Sequence, residues 1–451
     1  MFVFRRRLIF WLIKAYLRKW GKGIIFFFIA GLVFFFIFRS AIPIILSKIP
    51  IGQKESIGLV GAYTNDNLPQ EILGEVSSGL TVISPNGTPL PNIAKNWKIE
   101  DNGKTYVFDL RKDVFFSDGS NLTSNSVNYN FSDAKVEKPD KYKIIFKLKE
   151  SYSPFLVTVS RPIFKDNLVG IGNYKIIGIK LNGNFVQSLS MISAKDKLKV
   201  KEYLFYPSQD ALKIAFNLGE ISKAQGLSNL DFDDTSFDSF PNLNIQKNIN
   251  ASLLATLFYN NNDAVLSDKK IRNALSYALP DNLSGGQRNW NMYAQSSWVY
   301  SNQFEKSQDI EHAKILMSQA PSASKSSQVE LELKTLSGYE KTAQEISKAW
   351  ELINVKIKII VVDSVPSSYQ IFLGDYKVPK DPDQYSLWHS QQENNITGYK
   401  NLRIDKLLED GRKTIDSSER KKIYLDLQKY LLDDSPASFL FLPYEYEIIR
   451  K

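Results

Sequence analysis

The chain has 451 residues, with 57 basic against 48 acidic side chains, two histidines and no cysteine. Neither a disulfide nor a lipid-modified N-terminal cysteine is available, so the folded part must be held by its own core. Nine basic residues and no acidic one fall in residues 1–50, which leaves 48 of each sign in the remainder. The net charge of +9 therefore belongs to the N-terminus and gives no reason to expect a nucleic-acid-binding face.

Residues 1–22 mix aromatic and aliphatic side chains with Arg5, Arg6, Arg7, Lys14, Arg18, Lys19 and Lys22, the pattern of a short helix lying on anionic lipid. Gly23–Phe38 follows as sixteen uncharged residues. As a helix it spans only about 24 Å, against a hydrocarbon core of roughly 30 Å. Continuing to Ser47, with Arg39 snorkelling to the interface, makes up the length. The pattern predicts one uncleaved transmembrane helix over 23–47 with a cytoplasmic N-terminus, a linker over 48–55, and everything beyond outside the cell membrane, extracellular or periplasmic. A cleaved signal peptide has the same polarity, but no small-x-small cleavage site is evident.

Beyond the linker, Ser56–Tyr63 predicts a strand, and the apolar spacing of Leu68–Thr81 an amphipathic helix. Pro85-Asn86-Gly87 is a turn. Thr105–Leu110 alternates as a strand, Val114–Phe116 predicts a second one, and Thr123 with Ser126 reads as a helix start. Gly103-Lys104-Thr105 is not a phosphate loop, because Lys98 stands where its first glycine belongs. Leu283-Ser284-Gly285-Gly286-Gln287 matches a signature of transport ATPases, but without that loop it is read as a glycine-rich surface segment.

The stretch PNIAKNWKIEDNGKTYVFDLRKDVFFSDGSNLTSNSVNYNF, residues 91–131, carries a family pattern. Its order of P-x-x-A-x-x-W, D-x-G-K-T-Y-x-F-x-L-R-K-x-V-x-F-x-D-G and L-T-x-x-x-V-x-Y resembles the family 5 extracellular solute-binding proteins, receptors of dipeptide, oligopeptide and nickel importers. The resemblance continues through Gly170–Tyr174, Asp210–Ser228, SDKKIRNALSYAL at 267–279, Asp381–Ser390 and the helix Ser417–Leu432, while Asn182-Gly183 by its turn chemistry predicts a hairpin over Lys180–Leu189. It implies an α/β, two-lobed type II periplasmic-binding-protein-like fold with mixed sheets and a hinge. Lobe I covers 56–256, including a 91–160 subdomain, and lobe II covers 257–443. Residues 229–250 are expected as a polar surface loop. Residues 444–451 would begin a return to lobe I that is apparently cut short.

The resemblance also implies a binding protein rather than an enzyme. It would be a monomer without cofactor or metal, holding a peptide or other small solute between its lobes and delivering it to permease subunits. The cleft candidates are Tyr63, Asp381, Asp383, Tyr385, Trp388 and His389: carboxylates for a polar group, aromatics for apolar area, and an imidazole that can donate or accept. Trp388 has an alternative place as a core side chain. Peptide-binding relatives commonly carry an acid three residues before the Asp-Pro aspartate, where Val378 stands here, with Asp375 three residues further upstream. Asp381, Asp383 or Glu393 could substitute. The rival readings are an anchored sensor or adhesion receptor of the same fold and, with little support, a hydrolase using the Asp381 loop.

Overall fold

A computed structural model describes residues 10–11, 13–23, 26–32, 34–35, 53–321 and 328–451. The chain divides into two units, Met1–Lys54 and Glu55–Lys451. In the first, the described residues 10–35 are helical and expose large apolar side chains such as Trp11, Trp20, Phe27 and Phe34. No helix among the described residues is long and apolar enough to cross a membrane. All of the expected span beyond Phe35 lies outside them.

The second unit is organised by one strand, Ala437–Arg450. At roughly 3.3 Å per residue its 14 residues cover about 46 Å, enough to serve two cores. Its first half pairs antiparallel with Leu253–Tyr259, matching Phe258 to Ala437 and Ala255 to Phe441. Its second half pairs antiparallel with Leu243–Ile249, and with Lys223–Leu227 on its other side. The result is a continuous twelve-stranded sheet running through both lobes. On the lobe II side the order continues from Leu253–Tyr259 to Ile371–Lys377, Val329–Leu336 and Val355–Val362, with parallel pairings among the last three. On the lobe I side it continues through Gln53–Val60, parallel to Lys223–Leu227, then Lys199–Tyr206, Phe185–Ser193 and Tyr174–Asn182. A separate antiparallel sheet of four strands, Ala94–Glu100, Thr105–Leu110, Lys143–Leu148 and Ala134–Asp140, closes over its own core of Tyr106, Phe108, Phe146 and Phe155.

Each element has a local cause. The helix Lys269–Tyr277 starts at Asp268, whose carboxylate accepts from Lys270 N–H, and buries Ile271, Ala274 and Leu275 against the lobe II sheet. The helix Ser417–Asp434 is capped by Asp416, which accepts from Ser418 and Glu419 N–H. It stops where Ser435 takes a left-handed φ of 46°.

Several local expectations are corrected. The expected helix 68–81 runs only from Gln70 to Val76, because Pro69 sets its start and Ser77 turns the backbone extended. Thr123 and Ser126 do form a capping box, but around a single 3-10 turn that Val127 leaves in extended geometry. Residues 114–116 provide only an isolated bridge, Phe115 to Asn121. The polar stretch 229–250 is not all loop. Leu243–Ile249 is a strand whose pairing comes from the return strand, with the Lys247 ammonium 3.5 Å from the Tyr444 ring centre. Gly285-Gly286 is not free surface either. Gly286–Arg288 pairs with Phe441–Pro443, and a Cβ on Gly286 would lie 2.2 Å from Leu442 O. Those glycines let two backbones approach closely.

Candidate functional site

Lobes I and II meet along one seam. Ser153 donates its N–H to Arg412 O at 2.8 Å, and Ser151 Oγ donates to Lys413 O at 2.8 Å. Trp298 donates its N–H to Asn86 O at 3.1 Å. Gly87, with φ +90°, brings its backbone so close that a Cβ would lie 3.0 Å from Lys380 O. These contacts join the edge of the four-stranded subdomain and the 84–91 turn to the segment before the Asp381 loop, to Trp298 and to the end of the helix Leu402–Lys413.

Two clefts open along this seam. One, of about 330 Å³, is lined by Tyr106, Ser153 and Leu156 from lobe I and by Trp298, Asp381 and Arg420 from lobe II. The other, of about 320 Å³, is floored by Ser77–Gly79, Thr81–Ile83 and Asn92. The charged side chains lining it are Arg161 and Lys380, both exposed and both cationic.

Four of the six expected residues gather on lobe II around two arginines. Asp381 is buried, and the Arg420 guanidinium meets it end-on, Nη1 donating to Oδ2 at 3.0 Å and Nη2 to Oδ1. Burial lowers the Arg420 pKa, but Asp381, with Tyr424, more than offsets this and leaves it raised, so the guanidinium stays charged. Arg420 also donates to Gly411 O and Tyr424 OH. Asp383 receives Arg412 Nε and Nη2 at 3.0 and 2.8 Å on one oxygen. The Tyr385 ring has that guanidinium 4.1 Å from its centre and the His389 ring stacked at 4.3 Å. His389 is buried. Its Nδ1 accepts from Gln391 N–H at 3.3 Å, so Nε2, 3.4 Å from Glu409 Oε1, is the nitrogen positioned to donate.

The other two lie apart from that group. Trp388 is 2% exposed, packed on Tyr376 and Phe439, with its indole N–H donating to Gln384 Oε1 at 3.0 Å. It occupies the lobe II core, one of the two places open to it from sequence. Tyr63 is half-buried in lobe I with its ring edge on Phe205. At the amine-anchor position Val378 packs at the edge of the core; upstream of it Asp375 accepts from Tyr339 OH, and Glu393 is exposed.

The seam residues Arg412, Arg420, Tyr106, Trp298, Arg161 and Lys380 were not named as site candidates from sequence. Arg420 stood only as part of a helix pattern. Its partner is 39 positions away, and no local period reveals such a pairing. Among the described residues no three His, Cys, Asp or Glu side chains gather as a metal site.

A two-lobed α/β body joined by shared strands, with clefts at the seam, defines a solute receptor of the hinged binding-protein class. Residues 88–397 match the family of bacterial extracellular solute-binding proteins, family 5, and the chain belongs to it. It is thus a solute-binding protein of the type that serves peptide and nickel importers, a binding component rather than an enzyme. It is 24% identical to the oligopeptide-binding protein AppA of Bacillus subtilis, over 84% of this chain and 83% of that one. It is 22% identical to the probable D,D-dipeptide-binding periplasmic protein DdpA of Escherichia coli, over 78% of each. Among solved structures, the substrate-binding protein CtaP of Listeria monocytogenes superposes with a TM-score of 0.73 at 21% identity, covering 88% of this chain and 94% of that one. NikZ of Campylobacter jejuni in complex with Ni(L-His) gives 0.70 at 22% identity with the same coverage.

Proposed function

We propose that the protein captures a short peptide or peptide-like solute at the lobe seam and hands it to the permease subunits of an importer while tethered to the cell membrane by its N-terminal helix. The observation that carries the ligand class is the cleft beside Lys380. Both charged side chains lining it are cations, which suits a carboxylate, while the polar side chains of its lining, Ser78 and Asn92 among them, suit the peptide groups of an extended chain. The neighbouring cleft supplies the half-buried Leu156 and Trp298 for apolar side chains.

The Asp-Pro-Asp carboxylates have a different role in this reading. Arg420 and Arg412 already neutralise them, so they fix the loop that presents Lys380 instead of receiving a ligand ammonium. Lobe closure would bring Arg161 and Lys380 onto one ligand end, because they belong to different lobes. Mass spectrometry of what co-purifies with the protein tests the class. Peptides or other carboxylate-bearing solutes are expected, and a ligand without an anionic group would overturn it.

The tether rests on the basic residues before Gly23 and on the apolar side chains exposed along residues 10–35. A periplasm-active reporter fused after Pro50 should be active outside the cell. Activity confined to the cytoplasm would sink the tether and the receptor orientation together.

A further inference from the structure

Within lobe II, away from the seam, lies a recess of about 20 Å³ bordered by Ser276, Arg288, Trp290, Lys306, Ser435 and Ser438. That is room for one guest the size of a water molecule or small ion. The buried side-chain groups of its lining that lack a partner are both donors. Arg288 Nη1 donates to the main-chain oxygens of Phe439 and Leu440, while its Nε–H is buried with no partner. The indole N–H of Trp290, stacked 4.8 Å from the Arg288 guanidinium, is also buried with no partner. Lys306 donates to Asn273 Oδ1, Leu432 O and Ser435 Oγ, all neutral acceptors.

Neither cation makes an ion pair among the described residues. The carboxylates that act on Arg288 from a distance are occupied: Asp281 accepts from Gln308 N–H and Glu305 from Tyr300 OH. Those near Lys306, Asp433 and Asp434, are bridged by Lys269. Two half-buried cations without a counter-ion are costly, and so are two buried N–H groups without an acceptor. A single acceptor-only guest would relieve both, which a water molecule, itself needing acceptors for its protons, does less well.

We propose that this recess binds one monovalent anion of halide size, chloride under physiological conditions, held by Arg288 Nε–H and Trp290 Nε1–H in the field of Lys306. The ion would brace the lobe II end of the shared strand, since Arg288 is tied to Phe439 and Leu440.

The test uses the full chain in solutions of equal ionic strength. With chloride or bromide the melting midpoint should climb with halide concentration, as for one saturable site, and stay flat in gluconate. Arg288→Met should abolish the halide dependence. Because that variant can fail to fold, crystals of the unaltered chain grown in bromide provide a second readout, in which anomalous density should mark one ion within hydrogen-bonding reach of both N–H groups. A water molecule or no density there, or equal midpoints in halide and gluconate, would overturn the proposal.

Discussion

Asp381 and Arg420 form a buried, two-pronged ion pair within lobe II, directly under the cleft where Tyr106 of lobe I faces them. The aspartate a ligand would be expected to meet is thus already answered by its own lobe. Removing either partner alone leaves the other charge buried, which typically costs about 3–5 kcal/mol. Asp381→Leu and Arg420→Met should each destabilise by that order, and the double replacement by clearly less than their sum. Urea unfolding of the four proteins measures it, and strict additivity would show that the pair is not coupled.

Trp388 separates core from cleft. With 2% exposure and its ring against Tyr376 and Phe439, Trp388→Ala should lose about 3–5 kcal/mol of stability with or without solute. An unchanged melting curve with weakened solute binding would instead place the ring in the site.

Lys306 supplies a pH signature. Burial pushes its ammonium down to about 8, with Asp433 opposing and Lys269 adding to the fall; Asn273 Oδ1, Leu432 O, Ser435 Oγ and the Tyr277 ring face it. An unfolded lysine titrates near pH 10.4. From about pH 8 upward the unfolded chain therefore holds the extra proton, and stability from this group rises with pH until the unfolded lysine also titrates. In gluconate, the difference in stability between the protein and Lys306→Met should grow in favour of the unaltered chain from about pH 7.5 to 9.5. A constant difference would mean that Lys306 does not titrate in this window.

The fold was legible where its signals are local. The Asn182-Gly183 hairpin pairs Asn182 with Phe185, and the strand Thr105–Leu110 lies where its alternation put it. The strand Leu243–Ile249 escaped notice because its sequence is mostly polar and its partner, Tyr444–Arg450, is about two hundred residues away. The same limit governed the site. Residue types drew attention to Asp381, Asp383, Tyr385 and His389, and these do cluster. What they cluster around, Arg412 and Arg420, is set by how two helices dock on the Asp381 loop. Trp388 lies only three residues beyond Tyr385, yet a single helical turn sends it into the core.

The central claim, that a solute's anionic end sits between Arg161 and Lys380 at the lobe seam, is tested most directly by calorimetric titration of the co-purified solute. The unaltered protein should be compared with Arg161→Glu and Lys380→Glu. Both side chains are exposed in the free cleft, so the ligand-free melting curves should stay close to that of the unaltered protein. Affinity should fall at least tenfold in each variant, about 1.4 kcal/mol or more, because a like charge replaces the pairing group. Undiminished affinity in both folded variants would place the site elsewhere and contradict the account.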